Sequence, residues 1–248
     1  MADPRVRIQL CGRVCIEIDG ESREARLPGP QGRRLFCYLA IRRFSAVTRP
    51  DLSVALWGDQ PPAAKDAALS ALLSRLRTTI QPVSFDGLRL ALPASAWVDI
   101  DAARDAIHRA ESAVALGAWG RAWGAAQVSL FTARRGFLPG DDLPWIADIR
   151  NELDSLHTRA LEAYAEASLR VGGTELATAE RSARDLVARA PFRESGYRVL
   201  MEALGARGNT AEALRVYDNL VRLLSEELGV VPSQPTRELH AHLLRSAG

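Results

Sequence analysis

Between Pro61-Pro62 and Pro82 the chain carries a segment whose two sides differ in chemistry. Wound as a helix at about 100° per residue, Leu69, Leu72, Leu73, Leu76 and Ile80 form an apolar stripe. The opposite face holds Ala64, Ala67, Ala71, Ser74 and Thr78, flanked by Ser70, Arg75 and Arg77, with Lys65 near its start. Small side chains allow close approach to a surface, and their methyls suit the methyl of thymine. Arginine forks onto a guanine edge or a phosphate. Four further arginines fall where a chain commonly meets a phosphate backbone. Arg33 and Arg34 open one helical stretch, Arg49 opens another, and Arg89 lies past an Asp-Gly turn. Residues 25–50 contain six arginines and no acid, a local field that favours a polyanion.

Elements that could hold these groups follow from periodicity. Val6, Ile8 and Leu10 alternate with Arg7 and Gln9, and Val14, Ile16 and Ile18 alternate with Cys15 and Glu17, so two half-buried strands are expected, with Asp19-Gly20 as a hairpin turn. A third strand is expected near Arg23–Leu27, stopped by Pro28-Gly29-Pro30. Helices are expected from about Gln31 to Arg43, from Arg49 with Pro50 in its first turn, and from Ala63 to Ile80. Residues 85–92 read as a hairpin around Asp86-Gly87. Three strands, three helices and a hairpin is the order of a winged helix-turn-helix.

After Val98-Asp99 the pattern is helical almost throughout, with helices expected over 100–117, 119–132, 144–171, 174–190, 193–207, 210–228 and 235–246. Ala179, Leu186 and Val187 recur 34 residues later as Ala213, Leu220 and Val221. That period, with small residues at the helix crossing, is tetratricopeptide spacing. The fold class expected is mainly α: a response-regulator-type α+β winged helix over 1–98, then an all-α tetratricopeptide-like domain over 99–248. Residues 1–100 are net +4 and 101–248 net −2, so the basic charge lies in the first half.

Catalysis and metal binding find little support. The four histidines, His108, His157, His240 and His242, all lie in the helical half, and His240 and His242 fall on different faces of one helix, a poor zinc spacing. No Gly-x-Ser-x-Gly elbow or glycine-rich phosphate loop is present. Asp141-Asp142 fits a helix cap or an ion pair, and Trp119, Trp123 and Trp145 fit packing. Cys11, Cys15 and Cys37 read as reduced thiols. No apolar run reaches the ~18–20 residues of a membrane span, and Met1-Ala2-Asp3-Pro4-Arg5 leads straight toward a strand. The expectation is a cytoplasmic non-enzyme with no cofactor, no metal and no membrane contact.

The sequence resembles the Streptomyces antibiotic regulatory protein family of bacterial transcriptional activators over nearly its whole length. The resemblance rests on Ala55-Leu56-Trp57-Gly58-Asp59-Gln60-Pro61-Pro62, on Ser74-Arg75-Leu76-Arg77, on Phe137-Leu138-Pro139-Gly140 and on Ala190-Pro191-Phe192-Arg193-Glu194. It continues through Gly208-Asn209-Thr210-Ala211-Glu212-Ala213-Leu214 and Glu226-Glu227-Leu228-Gly229-Val230-Val231-Pro232. It implies a winged helix joined to a bacterial transcriptional activator domain, as in the small stand-alone members. It also implies binding to promoter direct repeats as a homodimer on double-stranded DNA, contact with RNA polymerase holoenzyme, and activation of a biosynthetic gene cluster, often for an antibiotic. The sequence departs from the family pattern after Pro61-Pro62, where polar base-reading side chains give way to Lys65, Asp66, Ala67 and Ser70. Either specificity rests on Ser74, Arg75, Arg77, Thr78 and DNA shape, or DNA binding is weakened and the chain is a regulatory scaffold that binds a protein or small ligand through its helical repeats.

Overall fold

The computed structural model describes residues 4–246 and divides into two compact units. The first comprises the chain through Ala102 with Thr132–Leu153; the second comprises Ala103–Phe131 and the chain from Asp154 onward. Met1 to Asp3 of the opening Met1-Ala2-Asp3-Pro4-Arg5 segment lie outside the described residues.

In the first unit, β1 (Val6–Gln9) and β2 (Cys15–Ile18) pair antiparallel with Val6 opposite Ile18 and Ile8 opposite Ile16. Period two puts these four side chains in the core. Asp19 and Gly20, both at positive φ, turn the chain into β3, which is only Glu21–Ser22. The strand expected over 23–27 is instead a 3-10 turn at Glu24–Arg26. Leu27 is its one large buried apolar side chain, too little for a half-buried strand. A later strand, β6 (Trp97–Val98), joins β1 in parallel, giving the sheet order β3-β2-β1-β6. Two residues carry no period, so β6 was not foreseen.

Helix α1 (Gly29–Ile41) starts two residues before its expected place, because Pro30 is suited to a first turn and Gly32 lies against the Pro28 ring. A Cβ on Gly32 would sit 2.3 Å from Pro28 Cγ. Helix α2 (Arg49–Trp57) opens with a capping box: the Asp51 N–H donates to Thr48 Oγ1, and the Thr48 N–H donates to the Asp51 carboxylate. These Thr48 bonds hold Asp51 below the usual carboxylate range. Helix α3 (Lys65–Thr79) follows, then the hairpin β4 (Ser84–Asp86) and β5 (Arg89–Ala91), which turns at Gly87. Helix α3 starts later than expected, with Ala64 at its cap and no side chain closing its first turn.

Residues 132–153 complete this unit from far along the chain. The Trp145 indole N–H donates to the Ala55 carbonyl on α2 at 3.0 Å, and its ring meets Tyr38 edge-on at 5.2 Å. Asp99 is wholly buried and accepts from the backbone N–H of Leu10, Cys11 and Ile100 at 2.9–3.0 Å. Burial raises its pKa above the ordinary value, and the three N–H donors oppose that shift.

Helices α4 (Asp99–Ala115), α5 (Trp119–Ala133) and α6 (Pro144–Val171) each contribute residues to both units. The second unit continues with α7 (Leu176–Arg189), α8 (Glu194–Ala206), α9 (Thr210–Leu228) and α10 (Gln234–Ser246). Helix α8 packs between α7 and α9. The repeat positions Ala179, Leu186, Ala213 and Leu220 are completely buried. Gly196 permits the close approach of α7 to α8, since a Cβ there would lie 3.1 Å from Leu186. Tyr217 packs at the edge of this core and stacks on His240, with ring centroids 3.8 Å apart. Glu194 accepts from the Ser233 N–H and from the Ser233 and Thr236 hydroxyls, tying the start of α8 to the start of α10. Burial pushes the Glu194 carboxyl up, but the Thr236 and Ser233 bonds, helped by Arg198, leave it below its ordinary value.

Candidate nucleic-acid interface

The face of α3 is set by its buried side. Leu69, Leu73 and Leu76 are in the core, so Lys65, Ala67, Ser70, Ala71, Ser74, Arg75, Arg77 and Thr78 are exposed, as is Ala64 at the cap. Leu72, expected in the apolar stripe, is half-buried at its edge.

The polar groups on this face differ in how they are held. Ser70 Oγ donates to the Asp66 carbonyl at 2.8 Å and accepts from Arg49 Nη2 at 2.9 Å. Thr78 Oγ1 donates to the Ser74 carbonyl at 3.2 Å. Arg49 also reaches the Asp66 carbonyl at 3.1 Å, so its guanidinium lies across the first turn of α3. Arg77 Nη2 donates to the Gly87 carbonyl at 2.9 Å, and the guanidinium lies 5.1 Å from the Phe85 ring centroid, which fixes the wing to the helix. Arg89, on the wing, is paired with Asp86. Lys65 and Arg75 make no side-chain bond to a described residue, and neither does Arg33 on α1, which is exposed.

Arg34 is placed differently from its neighbour. Its side chain is 18% exposed, forms an ion pair with Asp141 and donates to the Leu56 carbonyl. Expected on the backbone-facing surface, it instead closes α1 and α2 onto the 132–153 segment. One helical residue separates Arg33 from Arg34 by about 100°, which carries Arg34 inward. Sequence reasoning also missed Asp99 and the Thr48-Asp51 box, and it read Trp145 as a packing residue without its bond to the Ala55 carbonyl. The Thr48-Asp51 box has a readable signature in the Thr-x-x-Asp spacing ahead of an apolar run.

A sheet, a three-helix core and a hairpin wing, in a chain that continues as helical hairpins, define a winged helix followed by a helical domain. The model of the Bacterial transcriptional activator domain matches residues 98–244, and the chain belongs to that family. With the winged helix before that domain it belongs to the Streptomyces antibiotic regulatory protein type.

It is similar to the regulatory protein AfsR of Streptomyces coelicolor, 31% identical over 245 residues, which cover 97% of this chain and 24% of that protein. The chain thus spans about a quarter of the length of AfsR. It is 29% identical over 234 residues to the regulatory protein DnrI of Streptomyces peucetius, covering 86% of this chain and 84% of DnrI. Among solved structures, Mycobacterium tuberculosis EmbR, determined in complex with a low affinity phosphopeptide, has the same fold. Its TM-score is 0.81 at 24% identity, over 98% of this chain and 66% of that one. No helix among the described residues is long and apolar enough to cross a membrane.

Proposed function

We propose that the chain binds double-stranded promoter DNA by seating α3 in the major groove with the β4–β5 wing beside it. Residues 1–98 carry the DNA contacts, and 99–248 act as the effector and pairing domain. The supporting observation is the exposed face of α3, where the small residues run between two cations, Lys65 and Arg75, that have no side-chain partner among the described residues. The anchored Arg49 adds positive charge at the first turn, and Arg33 adds it from α1. Arg77 serves here as the strut that positions the wing, and Arg34 as an internal brace.

Two copies bind side by side on direct repeats and activate by touching RNA polymerase holoenzyme through the helical half. In support, apolar side chains suited to protein contact are exposed on α5, Val128 at 43% and Phe131 at 52%, and just past the end of α4, Leu116 at 77%. The regulated genes are those of a biosynthetic cluster, as the resemblance to the Streptomyces antibiotic regulatory protein family implies.

A gel shift at stated salt, comparing the protein's own upstream region with random duplex, tests the DNA reading. Selective retention of the upstream region is expected. Equal affinity for both, or none for either, contradicts it, and the chain is then a regulatory scaffold.

A further inference from the structure

Contacts between successive helices set the second unit out as one run. Glu111 of α4 pairs with Arg159 of α6, Glu162 of α6 with Arg193 of α8, and Glu194 of α8 with Thr236 of α10. The α4–α5 hairpin is therefore one end of the run, and α9 with α10 the other. A run of helical hairpins stays soluble by giving its end faces polar residues. Here both ends keep apolar groups in water.

At the first end a groove of about 590 Å³ opens between α4 and α5, lined among others by Ala113, Leu116, Gly120, Gly124, Arg109 and Arg121. Val128 and Phe131 continue the face of Gly120 and Gly124 along α5, and both are exposed. The fold itself asks for neither glycine: a Cβ at each would meet nothing within 4 Å, and glycine weakens a helix. Arg121 stands in the first turn of α5, at the positive end of the helix dipole. Neither Arg121 nor Arg109 has a side-chain partner among the described residues.

At the other end α9 closes with Glu226-Glu227-Leu228, followed by Gly229 at positive φ and by Val230-Val231. The Gly229 and Val230 N–H groups donate to the Ser225 and Leu224 carbonyls at 3.2 Å, which fixes the turn with Leu228, Val230 and Val231 exposed. The two carboxylates stand in the last turn, at the negative end of the dipole, with no basic residue in that turn. They too have no side-chain partner among the described residues. Each patch thus holds charges that its own helix disfavours beside apolar groups left in water, and the two patches are opposite in sign.

We propose that a second copy of this chain docks its 226–231 turn into the α4–α5 groove of the first. Leu228, Val230 and Val231 lie against Leu116, Val128 and Phe131, the bare glycines give the room, and Glu226 and Glu227 meet Arg109 and Arg121. This names the surface for the pairing proposed above; it rests on that pairing and not on the DNA contact. The joined patches differ, so the contact is heterologous and leaves one groove open in a pair. That open groove stays available for the polymerase contact.

Sedimentation equilibrium of the full chain without DNA, over a concentration series at low salt, tests the contact. The unmodified chain should self-associate, and less so as salt rises. Arg109→Glu/Arg121→Glu and Glu226→Arg/Glu227→Arg should each weaken association by about tenfold or more. The changes at 121, 226 and 227 suit the dipoles of their own helices, so neither variant should melt below the unmodified chain. An equimolar mixture of the two variants should regain association, because each finds the opposite charge on the other. Absence of that rescue overturns the pairing of these two patches. Association unchanged in either variant overturns it as well, and leaves pairing to another surface. A chain that stays monomeric throughout overturns it too, and leaves the groove to an acidic partner of another kind. The gel shift on the upstream duplex reads DNA binding separately from all of these outcomes.

Discussion

Both units pair many of their arginines with acids, but what the pairs join differs. In the helical unit they run along and between neighbouring helices: Arg159 to Glu111, Arg170 to Glu166 and Glu202, Arg184 to Glu180 and Glu212, Arg193 to Glu162, Arg207 to Glu180. Exposed Arg109, Arg121, Arg215, Arg237 and Arg245 there have no acid partner among the described residues. In the winged unit Arg13, Arg23, Arg34, Arg43 and Arg89 are paired, and Arg33, Arg75 and the single lysine, Lys65, have no acid partner among the described residues. Individually the exposed pairs contribute little, about 0.2–1 kcal/mol each. A paired guanidinium is a poor phosphate ligand, so on α3 Lys65 and Arg75 are the cations left available. The net charges of the halves, +4 and −2, favour the winged unit as the one that meets a polyanion.

The two units also differ in what keeps them folded, and substitutions should separate them. The largest effect is expected at Asp99. Asp99→Ala removes the carboxylate that accepts from the buried Leu10 and Cys11 N–H groups, and each lost bond of this kind costs about 1–3 kcal/mol. Urea unfolding should show the winged unit destabilised by roughly 3 kcal/mol or more; a loss below about 1 kcal/mol would mean water replaces the carboxylate.

Next is Glu194 in the helical unit. Its folded pKa is depressed, so its stabilisation is complete above the unfolded carboxylate value and fades as pH falls through the folded one. Glu194→Ala should cost roughly 2 kcal/mol at neutral pH. It should also flatten the acid limb of a Tm-against-pH curve; an unchanged limb would assign acid sensitivity elsewhere. Smaller still, Trp145→Phe keeps the ring packing on Tyr38 but removes the bond to the Ala55 carbonyl. About 1 kcal/mol of stability should go, with DNA affinity lowered only in step with the unfolded fraction.

Much of this could be read from spacing alone, and what could not is instructive. The leucine stripe of α3, the Asp86-Gly87 turn and the 34-residue recurrence of Ala179 as Ala213 are local signals, and each element falls within a few residues of its expected place. The face of α3 followed directly from that stripe. Long-range partners did not. Arg34 meets Asp141 across 107 residues and Trp145 meets Ala55 across 90, and no periodicity reports such pairs. The charge of Arg34 suggested a ligand, whereas its partner makes it a brace. Likewise the pairing of β6 beside β1 depends on the sheet already being formed.

The claim that matters most is that the cations around α3 meet phosphate. It is tested by the salt dependence of affinity for the upstream duplex. With Arg33, Arg49, Lys65 and Arg75 each neutralising one phosphate per protomer, log affinity should fall with log salt at a slope of about −3 to −4. Arg75→Ala should reduce that slope by about 1 if it holds a phosphate, whereas Arg184→Ala, in the helical unit, should leave it unchanged. A slope near zero, or one equally sensitive to Arg184, would contradict the assignment of DNA contact to α3.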